Sequence, residues 1–176
     1  MRVLVTGIFD LPHVEHVRFL AAAKNQGRRT KAEGRRRTEC YLIVGIEADI
    51  RVRKLKGAGR PVMGQEDRKE MLEGLAAVDE VFILPEDFDN DAAYEKVLKD
   101  TGADVYAVSE DSPFMENKRK ICERAGVVLK IVHGYNPEYS TSRIIEKVKR
   151  HRERGNERGD LVEIATSSRL NRDSSQ

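Results

Sequence analysis

Hydrophobic positions along this chain gather into short β-branched runs without strict alternation: Val3–Thr6, Tyr41–Glu47, Glu80–Leu84, Val105–Val108 and Val127–His133. Such runs predict strands buried on both faces. Between them the apolar spacing becomes helical over His16–Asn25, Gln65–Ala77, Ala92–Asp100 and Glu116–Ala125, with a last helix over Ser140–Arg150. In the second of these, Met71, Leu72 and Leu75 are expected on one side. No helix is predicted between Glu47 and Gln65. The repeated strand–helix order predicts an α/β fold: a Rossmann-like, doubly wound, five-stranded parallel sheet with right-handed crossovers and helices on both faces.

In a sheet of this kind, ligands bind beyond the carboxyl ends of the strands. The less ordinary residues of the chain cluster at those ends: Gly7–His16, Glu47–Arg68, Ser109–Pro113 and His133–Thr141. Two segments fall outside the pattern. Gln26–Glu39 is rich in glycine and arginine and reads as a basic loop insertion (26–39), and the polar stretch from Arg152 to Gln176 is expected to be disordered apart from a weak apolar cluster at Leu161–Ile164. One domain over 1–151 followed by a polar tail, 152–176, is the predicted organisation.

Charge and composition narrow the setting. A chain of 176 residues can bury an independent core, and 35% charged against 39% hydrophobic residues, with no tryptophan, predicts a heavily solvated surface. No apolar stretch reaches the roughly 20 residues that span a bilayer, and no signal-peptide h-region precedes the first strand, so a cytoplasmic protein without a membrane partner is expected. Cys40 and Cys122 lack metal spacing and read as small side chains, not a disulfide. The net charge of +2 conceals two basic patches, one at Arg28, Arg29, Lys31, Arg35, Arg36 and Arg37 and one at Arg150, Arg152, Arg154 and Arg158. They are read as solvated surface, and nucleic acid is not expected as a partner.

The common nucleotide loops G-x-G-x-x-G and G-x-x-x-x-G-K-[ST] are absent. The first strand leads instead into Gly7, suited to close backbone approach, then Phe9, Asp10 and Pro12 ahead of a helix start, then His13 and His16. At that spacing both imidazoles can face one side of the first helical turn, where free N–H groups and the helix dipole already favour an anion. Two imidazoles there would stabilise phosphate electrophilically; packed or surface histidines are the alternative. Without H-E-x-x-H or a cysteine cluster, a zinc site is not expected. Tyr139-Ser140-Thr141-Ser142, ahead of the last helix, offers a second such start, or an ordinary N-cap.

The stretch "GIFDLPHVEH" resembles the G-x-F-D-x-x-H-x-G-H signature of the cytidylyltransferase-like nucleotidyltransferases, whose members include glycerol-3-phosphate cytidylyltransferases and the adenylyltransferase domains of ADP-heptose synthases. The likeness continues in order through "YLIVGIEAD", "VRKLKGAGRPVMGQEDRKEMLEGLAAVDEVFI" and "GYNPEYSTSRIIEKV". By this resemblance Gly7, Ile8, Phe9 and Asp10 line the triphosphate, His13 and His16 stabilise the reacting phosphates, and Lys56 approaches both nucleotide and acceptor. Arg68, Ser140, Thr141 and Ser142 match further nucleotide-site positions. The alternative for Arg68 is an exposed helix charge, and for Lys56 one more solvated lysine, although the flanking Gly57 and Gly59 suggest a loop able to close over a ligand.

The implied reaction is attack by an acceptor phosphate on the α-phosphorus of a nucleoside triphosphate, with Mg²⁺ sharing the triphosphate charge and pyrophosphate leaving. The "LKGAGRPVMGQEDRKEML" segment favours ATP and a sugar 1-phosphate. CTP with glycerol 3-phosphate, or a non-catalytic nucleotide- or nucleic-acid-binding relative, are the alternatives. A homodimer is compatible with the resemblance. Two departures stand out. Glu15 occupies the glycine position of the signature, where it is expected to alter the nucleoside or acceptor pocket, and Glu110 and Asp111 replace a basic, glycine-rich loop, so they are the expected acceptor-side residues.

Overall fold

In the computed structural model, residues 1–27 and 39–154 are described. The basic run at 28–37, most of the predicted insertion, and the cluster at 161–164 lie outside them. The elements run β1 (Arg2–Gly7), α1 (Val14–Lys24), a 3₁₀ turn (Asn25–Gly27), β2 (Tyr41–Ile46), α2 (Asp49–Lys56), α3 (Gln65–Glu73), β3 (Glu80–Ile83), α4 (Asp91–Asp100), β4 (Val105–Ser109), α5 (Met115–Ala125) and β5 (Val128–His133). The strands form one five-stranded sheet in the order β3-β2-β1-β4-β5, and every pairing is parallel. The predicted Rossmann-like architecture is the observed one.

Alternation along β1 explains why the sheet is covered on both sides. Val3 and Val5 belong to a core with Phe19 and Leu20 of α1 and Leu72 of α3. Leu4, between them, faces a second core with Leu98 of α4 and Ile121 and Cys122 of α5. The inner strands β1, β2 and β4 therefore need apolar residues at successive positions, which is the pattern they carry, whereas β5, expected to be buried on both faces, lies at the sheet edge and leaves Val128 and Ile131 exposed.

Two sequence expectations are corrected. The stretch after β2 is not continuous loop: Asp49–Lys56 is α2, which buries Val52 and stops at Gly57 with φ +93°. Its short, strongly basic sequence carries one buried apolar residue and hence little periodicity. Met71 is 45% exposed while Leu72 is buried, because adjacent residues of α3 point about 100° apart, and Leu75 falls in the turn after the helix ends at Glu73.

The chain divides into two compact units at Pro137 and Glu138. The last helix, expected as part of the first domain, is therefore described by itself: it covers residues 141–154, and its first turn is capped by Ser140, whose Oγ accepts from the Arg143 N–H at 3.2 Å. No helix among the described residues is long and apolar enough to cross a membrane.

Candidate functional site

The carboxyl end of β1 builds the centre of the site. Phe9, with φ +50°, turns back so that its ring lies over Gly7; a Cβ at Gly7 would come within 2.8 Å of that ring. The same ring meets His16 edge-on, centroids 5.1 Å apart, and His16 in turn stacks on His13 at 3.9 Å. His13 is the N-cap of α1 and His16 its third residue. The chain Gly7–Phe9–His16–His13 thus fixes two imidazoles at one helix start.

Hydrogen bonding sets the tautomer of His16, and burial sets the charge of both rings. The backbone N–H of His13 donates to Nδ1 of His16 at 3.3 Å, so a neutral His16 carries its proton on Nε2. Burial, and then the neighbouring His13 ring, pushes His16 down to about 4. Burial also lowers His13, with Glu15 acting in the opposite sense. Nδ1 of His13 is buried without a hydrogen-bond partner among the described residues. Both rings are therefore neutral donors near pH 7, ready to gain positive character when an anion approaches.

Asp10 is almost fully buried. Its carboxylate accepts from the N–H groups of Val62 at 2.7 Å and Met63 at 3.0 Å and pairs with Arg60. It therefore anchors the segment between α2 and α3 to the turn after β1, where its oxygens are already satisfied. Lys56, the last residue of α2, lies exposed at the start of that segment.

Arg68 is not an exposed helix charge: it is fully buried. Its guanidinium donates to the carbonyls of Met63 (3.1 Å), Ile8 (2.6 Å) and Glu47 (2.9 Å) and to Asp49 Oδ1 (2.6 Å). In this arrangement it ties the loops after β1 and β2 to α3, and its fork geometry suits that task better than a lysine could.

A second polar cluster at the same sheet edge has no counterpart among the sequence expectations. Glu47, directly after β2, is buried beside Arg51 of α2 at 2.9 Å, without the alignment of a hydrogen bond. Burial raises the Glu47 carboxyl against the pull of Arg51 and Lys118. Lys118 of α5 donates to Ser112 Oγ at 2.5 Å and lies 6.0 Å from the Tyr106 ring; burial lowers its ammonium, with Glu47 opposing. Tyr106 shares a 2.6 Å hydrogen bond with Thr6. The two halves of this cluster, Glu47 with Arg51 and Lys118 with Ser112, are distant in sequence, and their charges alone resemble surface positions.

Of the acidic departures, Glu15 and Glu110 hold hydrogen bonds within the fold. Glu15 is buried and its carboxylate is occupied by Arg18 at 2.5 Å, His133 at 2.8 Å and Asn136 at 3.2 Å. The hydrogen bond from His133, then those of Arg18 and Asn136, hold its carboxyl below the usual range despite desolvation. Glu110 accepts from the Tyr135 N–H at 3.2 Å, and Asp111 is exposed. Ser140, Thr141 and Ser142 belong to the second unit, where Ser140 is the cap already described. No group of three or more His, Cys, Asp or Glu side chains among the described residues could by itself hold a metal ion.

Comparison with known proteins matches residues 4–147 to the family described as cytidylyltransferase-like. The bifunctional protein HldE of Pseudomonas entomophila is 33% identical over 150 residues, covering 85% of this chain but only 28% of the longer protein. The FAD synthase of Thermococcus onnurineus is 34% identical over 154 residues, covering 84% of this chain and 91% of the relative. Among solved structures, a lipopolysaccharide core biosynthesis protein from Thermoplasma volcanium superposes with a TM-score of 0.58 at 24% identity, over 80% of this chain and 98% of that one.

Proposed function

This chain belongs to the cytidylyltransferase-like family, and on that basis we propose that it transfers a nucleoside monophosphate from ATP to a small phosphorylated acceptor, a sugar 1-phosphate first among candidates. The carrying observation is the stacked His13–His16 pair at the start of α1. An acceptor phosphate oxygen attacks the α-phosphorus, a new P–O bond forms, and the bond to the bridging oxygen breaks as pyrophosphate leaves with the electron pair. An ionised phosphate nucleophile needs no general base, so the protein's task is to position and to neutralise.

In this reading the imidazoles of His13 and His16 donate to the phosphates as charge develops. The exposed Lys56 follows the nucleotide from the edge of α2. Asp10 and Arg68 act from behind, holding the loops that form the walls. Mg²⁺ would travel with the triphosphate oxygens; the carboxylate nearest the turn, Asp10, is already committed to Arg60 and two backbone N–H groups. On the acceptor side, Lys118 supplies the cation that the acidic Glu110-Asp111 pair does not.

A flavin phosphate is a second acceptor reading. Phe114, between β4 and α5, is 80% exposed with φ +57°, an aromatic surface at the carboxyl end of the sheet that suits a planar ring system. The FAD synthase relative is consistent with ATP as donor in either case. The test is pyrophosphate release from ATP, CTP, GTP and UTP, each with sugar 1-phosphates, glycerol 3-phosphate and flavin mononucleotide. Turnover is expected with ATP and a sugar 1-phosphate. Turnover only with CTP and glycerol 3-phosphate replaces the reading with that of a cytidylyltransferase, and nucleotide binding without any turnover replaces it with a non-catalytic role.

A further inference from the structure

Glu15 stands at the position where the resembled signature has glycine, between the two histidines, yet its side chain leaves them and reaches the end of β5. The distance in sequence to its partners is 118 residues for His133 and 121 for Asn136. A buried carboxylate without partners is costly, and this one has three, two of them from the β5 end. On the outer side, Glu110 holds the same short segment through the Tyr135 N–H, and its own N–H donates to the His133 carbonyl at 2.9 Å. The ring of His133 also lies 6.4 Å from that of Phe19, further along α1. Both acidic departures from the resembled motifs thus converge on residues 133–136.

We propose that Glu15 is a positioning residue: with His133 and Asn136 it tethers the histidine-bearing turn of α1 to the segment after β5, and so sets where the His13–His16 pair stands. It touches no reacting atom. The inference rests on the nucleotidyltransferase reading for its kinetic consequence, though the tether itself does not. A glycine at this position would remove both hydrogen bonds and leave only packing, such as that of Phe19 against His133, between α1 and that segment, so this chain holds its histidine-bearing turn by a device built from its own substitutions.

The test compares Glu15→Gly, Glu15→Gln, His133→Phe and the Glu15→Gly/His133→Phe double variant with the parent chain. His133→Phe keeps an aromatic ring against Phe19 while removing the hydrogen bond. In the ligand-free protein, amide hydrogen exchange of residues 13–16 and of residues 133–136 should rise together, roughly tenfold, in Glu15→Gly and in His133→Phe. The Glu15→Gln variant, which keeps one acceptor oxygen, should lie between. In turnover, kcat should fall roughly tenfold or more, since small misplacements of catalytic groups cost that much, with the nucleotide KM within about threefold. The double variant should be no worse than the more impaired single one, because both break the same bond.

Faster exchange confined to residues 133–136, or losses that multiply in the double variant, overturns the tether. A change in nucleotide KM without one in kcat also overturns it, since Glu15 would then contact the nucleotide. If no substrate pair turns over while exchange rises at both sites, the tether stands and the functional reading falls.

Discussion

The His16 imidazole lies stacked between the edge of Phe9 and the face of His13, with its Nδ1 accepting the His13 backbone N–H. This enclosure keeps the ring neutral, and it makes the site sensitive to acid. The His16 value falls from an ordinary 6.5 to about 4, so between those values the unfolded chain binds a proton that the folded chain refuses. Stability from this group is complete above about pH 6.5 and is lost as pH falls toward 4. In His16→Asn, which keeps an acceptor near the His13 N–H, the decline in melting temperature between pH 7 and pH 4.5 should be shallower than in the parent. Turnover at pH 7.5 should fall by roughly 10²–10³, the cost of one donor to a developing charge. Retention of most activity would remove His16 from the mechanism.

Arg68 offers a test of structure. Its guanidinium satisfies three backbone carbonyls and Asp49 from a fully buried position. Lysine cannot reproduce that fork, so Arg68→Lys should lose about 3 kcal/mol in urea unfolding. A loss below about 0.5 kcal/mol, with a raised nucleotide KM instead, would mean that the side chain turns outward to the nucleotide.

Lys118 separates the two substrates. A charged hydrogen bond to phosphate contributes roughly 1.5–3 kcal/mol, so Lys118→Met should raise the acceptor KM by roughly tenfold or more while the nucleotide KM stays within about twofold. Steady-state kinetics with each substrate varied in turn measures both. An unchanged acceptor KM would move the acceptor away from the β4–α5 corner.

In one dimension the chain already specifies its five strands, all but one of its longer helices, and their order. Continuous β-branched runs require strands covered on both sides, and the alternation with helices leaves a parallel sheet as the economical arrangement. The turn after β1 is marked too, because glycine, a helix start and two histidines spaced by three are all local features. Helix α2 carries no such mark, since its pattern holds one buried residue, Val52.

The roles of the charged residues arise with the assembled fold. Along the chain Glu47 and Lys118 look like solvated surface, while Arg68 and Glu15 read as residues on the ligand side. Their partners lie on other elements: Ile8 and Glu47 for Arg68, His133 for Glu15, Arg51 for Glu47, Ser112 for Lys118. Whether a charge is a ligand contact, a brace or a solvated side chain depends on desolvation and on donors brought from distant segments, and neither quantity exists until the sheet has assembled them.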